Sequence, residues 1–205
     1  MKPLLIVMAV LALVAVGGSV AYQTGVREQE YRQLLAAGDA AAAKGELTAA
    51  IEQYSGASAL RPDSMLAVLR RGETYWRVGD LDAAVRDFRT AAALDSTATR
   101  PLEQWGDALY QQQRYERAAE VYEARLRLDD RSATFQYKAG LARYRDGDLD
   151  GALGALARAV QLDDQLAEAH YLTGICLKDK RDLAKAAEAL EAAASRSPGM
   201  VAAHE

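Results

Sequence analysis

Residues 65–98 read MLAVLRRGETYWRVGDLDAAVRDFRTAAALDSTA. A first helical stretch ends near Val78, and Gly79-Asp80 offers a turn in which a backbone without Cβ is useful. A second stretch, from about Leu81, sets Leu81, Ala84, Val85 and Phe88 at helical spacing and fades at Leu94-Asp95-Ser96. One helical hairpin is predicted, its small residues letting the two helices approach and its large ones filling the space beside them.

The same text recurs on both sides at a constant interval. Gly38, Gly72, Gly106, Gly140 and Gly174 are evenly spaced, and Ala50, Ala84, Ala118, Ala152 and Ala186 share their period. Tyr54, Phe88, Tyr122, Leu156 and Leu190 keep the interval, and so do Leu47, Leu81, Tyr115, Leu149 and Leu183. For the glycines alone, chance alignment has odds on the order of 10⁻⁵, so the chain is read as five units: 31–64, 65–98, 99–132, 133–166 and 167–200. Pro62 and Pro198 close the first and fifth, where a proline cannot continue a helix. Ala203-His204 lies one full period after Ala169-His170, so 201–205 reads as the opening of a sixth unit; either the natural chain is expected to continue, the favoured reading, or a partner to cover this end.

A glycine in the first helix, a small residue and an aromatic in the second, and a closing proline resemble the tetratricopeptide repeat. The resemblance covers 31–200 and implies an all-α fold: a right-handed solenoid of helical hairpins whose concave side is lined by first helices. Arg71 and Arg143 depart from it where a packed apolar residue is usual, Arg125 replaces a small alanine, and Ser96, Asp130 and Asp164 replace the closing proline.

Pro3–Tyr22, PLLIVMAVLALVAVGGSVAY, carries no charge and is long enough to span about 30 Å of bilayer core. Two readings stay open for 1–22: a signal anchor that remains as a transmembrane helix, or a signal peptide cleaved near Ala21 after the small-x-small Ser19-Val20-Ala21. Residues 23–30 are then a juxtamembrane linker or helix extension. Both readings carry the repeats across a membrane, as in a single-pass protein of a bacterial-type cytoplasmic membrane or a periplasmic or secreted one.

The net charge of −4 and pI near 5.4 argue against a phosphate-binding surface built on excess Lys and Arg, so no nucleic acid is expected. The lone Cys176 forms no intramolecular disulfide and shares its phase with Ala40, Thr74, Ala108 and Ala142, which marks it as a small buried residue. Asp146-Gly147-Asp148-Leu149-Asp150 has the alternating oxygens of a calcium loop. Ala157 stands where the bidentate carboxylate is needed, and the segment aligns with the Gly79-Asp80 turn, so a turn is expected. Gly151 and Gly154 follow no strand and form no phosphate loop. His170 and His204 share one phase, where the family often has an aromatic, and are expected to pack rather than bind metal. No nucleophile–base pair, cofactor, metal or small-molecule substrate is inferred, and no enzyme is expected.

Function is expected on the concave face, where residues spaced by 3, 4 and 3 share one side of each first helix. In register with the phases at which the family contacts ligands, these are Leu66, Leu69, Glu73 and Trp76, then Arg100, Glu103, Asp107 and Tyr110. Thr134, Tyr137, Leu141 and Tyr144 follow, then Glu168, Tyr171, Ile175 and Lys178, with Arg77 and Arg145 beside the aromatics. Trp76, Tyr110 and Tyr144 again stand one period apart; such rings either pack on neighbours or anchor a peptide. No asparagine stands on these phases, so the carboxylate clamp of some relatives is not expected. The expected function is a non-catalytic scaffold or assembly factor tethered to a membrane and binding a polypeptide. The alternatives are a cleaved soluble adaptor and a regulatory segment of a larger protein.

Overall fold

The computed structural model describes residues 24–197 and 199. The apolar segment 3–22 and the start of a sixth unit at 201–205 lie outside them. Among the described residues no helix is long and apolar enough to cross a membrane.

The described chain is helical and divides after Gly79 into two compact units. The first holds α1 (residues 24–44), α2 (Leu47–Leu60) and α3 (Met65–Val78). The second holds α4 (Leu81–Leu94), α5 (Thr99–Gln111), α6 (Tyr115–Leu126), α7 (Ala133–Asp146), α8 (Leu149–Leu162), α9 (Ala167–Asp179) and α10 (Leu183–Arg196). The first helices α3, α5, α7 and α9 begin at Met65, Thr99, Ala133 and Ala167, which are the opening residues of the four units read from the sequence. Residues 24–30 extend α1 as continuous helix instead of forming a linker.

The two most regular features of the repeat meet in space. A methyl group placed on Gly106 would lie 2.5 Å from Cε1 of Tyr122, and one on Gly38 would lie 2.6 Å from Cε1 of Tyr54. Gly140 stands the same way against Leu156 and Gly174 against Leu190. The first helix must therefore lack a side chain where the second inserts its largest one. Tyr54, Phe88, Tyr122 and Leu156 are all buried, and beside them Ala50, Ala84, Ala118 and Ala152 have no exposure. Cys176 is equally sealed, and burial pushes its thiol up to about 11, which removes it from thiolate chemistry at neutral pH.

Each hairpin turns on one residue in the left-handed region, and these residues keep the repeat interval too. Gly45, Gly79 and Gly147 have φ of 81°, 86° and 91°, while Gln113 and Arg181 adopt 61° and 64° with a Cβ present. After the turn, Asp80, Asp148 and Asp182 accept a backbone N–H as N-caps of α4, α8 and α10. Asp146–Asp150 is therefore an inter-helix turn, with Asp148 also held by Arg143 at 2.5 Å. A left-handed L-residue costs about 1–2 kcal/mol, part of which glycine forfeits through unfolded-chain entropy. Gln113→Gly and Arg181→Gly are each expected to stabilise the protein by about 0.5–1 kcal/mol in urea unfolding. Destabilisation by either would contradict the turn geometry.

The arginines that break the family pattern are accommodated individually. Arg125, 9% exposed, lies 4.4 Å above the Phe135 ring, donates to Glu103 and binds the Asp129 carbonyl at 2.8 Å. Arg143 joins Glu123 to Asp148, and Arg71 donates to Ser55 at 3.2 Å. Gly151 in α8 leaves room for the Arg143–Asp148 pair, because a Cβ there would collide with both side chains.

Candidate protein-binding site

In the first unit the face of α3 turned toward α1 borders a groove of about 360 Å³ lined by Asp39, Tyr54, Arg70, Glu73 and Arg77. Arg77 reaches back to the carbonyl of Ala42 at 3.1 Å, and Arg70 stands 3.8 Å from both Asp39 and Glu73. Leu66 is 44% exposed and Trp76 half-buried, whereas Leu69 is 4% exposed and belongs to the interior.

In the second unit α5, α7 and α9 place their expected residues side by side. Asp107 does not face solvent with a free carboxylate: Tyr122 donates its hydroxyl to it at 2.6 Å and Lys138 contacts both its oxygens at 2.7 Å. Glu103 is likewise engaged, by Arg125 at 3.3 Å. These two carboxylates position α5 against α6 and α7, and burial with the Asp107 bond holds the Tyr122 phenol well above the ordinary tyrosine range.

The rest of this face mixes half-buried aromatics with exposed charges. Tyr110 meets Tyr115 edge-on at 5.1 Å, and its proximity raises the Arg145 guanidinium further. Tyr144 donates to Asp179 of α9 at 3.0 Å, and its phenol is raised first by burial and then by that bond. Tyr137, its phenol raised by burial and by Glu168, lies between them in sequence, and Tyr137, Leu141 and Tyr144 pack against the interior around Leu156 and Leu172. Tyr110, Tyr137, Tyr144, Tyr171 and Ile175 are all half-buried, while Arg100, Arg145 and Lys178 are exposed. Half-buried rings on packed helices, with part of each surface in water, can bind at low entropic cost. Of the periodic aromatic series, Trp76 belongs to the first unit and Tyr110 and Tyr144 to the second.

Sequence reading missed Lys138 and Asp179, the charged partners that fix Asp107 and Tyr144. A signal for the former exists: Asp39, Tyr54 and Arg70 recur two repeats later as Asp107, Tyr122 and Lys138, and Tyr54 donates to Asp39 at 2.7 Å as Tyr122 does to Asp107. His170 places a ring nitrogen 3.1 Å from the Asp164 carbonyl oxygen.

Residues 104–167 and 165–201 match a family model described as tetratricopeptide repeat, 67–97 match another so described, and 38–79 match one described as TPR repeat. No curated protein sequence matches the chain. Among solved structures, a crystal structure of MamA is 22% identical with a TM-score of 0.72, covering 78% of this chain and 94% of that one. MamA from Desulfovibrio magneticus RS-1 is 21% identical with a TM-score of 0.73, covering 82% and 96%. YrrB, described as a TPR protein with an unusual peptide-binding site, is 21% identical with a TM-score of 0.75, covering 90% and 96%. At these identities the likeness is one of fold.

Proposed function

Because the chain belongs to the tetratricopeptide-repeat family, we propose that it is a non-catalytic scaffold whose first-helix face binds a segment of another polypeptide. The observation that carries this reading is the half-buried set of Tyr110, Tyr137 and Tyr144 beside Arg145, with Tyr144 bonded to Asp179. Tyrosine and arginine are the residue types that concentrate interface energy, and the cluster stands on rigid helices. The peptide-binding site ascribed to YrrB supports the same use of the fold. A photo-crosslinking amino acid in place of the exposed Lys178 is expected to capture a polypeptide from cells, while one in place of Glu188 on α10 is expected to capture none. Adducts from Glu188 alone would overturn the assignment.

Residues 3–22 tether this scaffold to a membrane in the proposed arrangement, with the repeats on the extracytoplasmic side. The support is the uncharged length of that segment. The full-length protein is expected to stay with membranes through alkaline carbonate extraction and to keep its N-terminus. A soluble mature species beginning at Tyr22 would replace this reading with that of a cleaved periplasmic or secreted adaptor.

A further inference from the structure

The second unit carries another opening, on the second-helix side. It is a groove of about 500 Å³ between α4 and α6, with α5 beneath it. Its floor is apolar: Val85 from α4, Trp105 and Leu109 from α5, and Val121 from α6. Its rim carries four exposed guanidiniums, Arg86 and Arg89 from α4 and Arg114 and Arg117 at the start of α6. Two carboxylates, Asp82 and Glu120, share the rim, and Asp82 already accepts the Gln112 amide at 3.0 Å. The rim therefore has an excess of positive charge in a chain whose net charge is −4.

Trp105 packs on the interior cluster around Leu109 and Val121, but the arginines are not set by the repeat. The positions one repeat after Arg86 and Arg89 hold Glu120 and Glu123, and those before Arg117 and after it hold Ala83 and Gly151. The indole nitrogen of Trp105 is buried without an acceptor, an arrangement that core packing alone would avoid by using phenylalanine.

We propose that this groove is a second docking site, for an acidic polypeptide segment that carries apolar side chains among its carboxylates. Guanidiniums take carboxylates in bidentate pairs, and an apolar floor of this size accepts one or two aliphatic side chains. A polyphosphate or nucleic acid would use the arginines but leave the exposed parts of Val85 and Trp105 without a partner. This site is separate from the aromatic first-helix face, so a single copy could hold two segments at once.

The probe is a fluorescein-labelled peptide alternating glutamate with leucine, titrated into the full chain in detergent and followed by fluorescence anisotropy. Saturable binding that weakens with salt is expected, together with no binding of the peptide that has lysine in place of glutamate. Arg86→Ala with Arg117→Ala should weaken it at least about tenfold. Arg89→Ala, a single surface change, should weaken it in the same direction, and circular dichroism checks that each variant is folded. Tyr110→Ala with Tyr144→Ala should leave it unchanged, which separates this site from the first-helix face. The proposal is overturned if the glutamate–leucine peptide does not bind, if folded arginine variants bind it as before, or if inorganic polyphosphate or DNA displaces it with equal potency.

Discussion

Tyr122→Ala is expected to destabilise the protein by about 3–5 kcal/mol, the usual cost of truncating a buried aromatic. The ring is 2% exposed and fills the space opened by Gly106, and its hydroxyl donates to Asp107 at 2.6 Å. Truncation removes all of this together and leaves Asp107 to Lys138. Tyr122→Phe removes only the hydroxyl and is expected to cost about 1 kcal/mol. Urea unfolding followed by circular dichroism measures both, and hydrogen exchange should place the loss in α5 through α7. A loss below about 1 kcal/mol for the alanine variant would contradict the account of the packing.

The same tyrosines set an alkaline limit. Burial, followed by the bonds to Asp39 and Asp107, raises the Tyr54 and Tyr122 phenols in the folded chain above the unfolded value near 10. A raised folded value favours the protonated form, so this contribution is complete below about pH 10 and is lost as pH climbs towards the folded values.

The repeat itself was legible residue by residue. Its period placed the starts of α3, α5, α7 and α9, the turn at Gly79 and the buried phase of Cys176, because one backbone geometry dictates glycine, alanine and a large residue at fixed offsets. The left-handed Gln113 and Arg181 escaped notice, since neither side chain advertises the conformation; only their place in register with Gly79 and Gly147 does. The candidate site was less legible. Helical phase says which side a residue occupies, but not whether a neighbouring repeat already uses it. Asp107 and Glu103 share the phase of exposed side chains yet are bound by Lys138 and Arg125, which come from other helices. Leu69 shares it and is buried.

The aromatic cluster is where the central claim stands or falls. Tyr110 and Tyr144 are half-buried, and the Tyr144 hydroxyl donates to Asp179 at the surface, whereas Tyr122 is sealed against Gly106. Their truncation should therefore cost far less stability than that of Tyr122, while each ring contributes at least about 1–2 kcal/mol to a bound polypeptide. The decisive measurement is the affinity of Tyr110→Ala with Tyr144→Ala for the polypeptide captured at Lys178, read by calorimetry alongside its melting temperature. A double variant that melts close to the parent and binds at least about thirtyfold more weakly is the expected result. A folded double variant that keeps full affinity would contradict the claim that this face binds the partner.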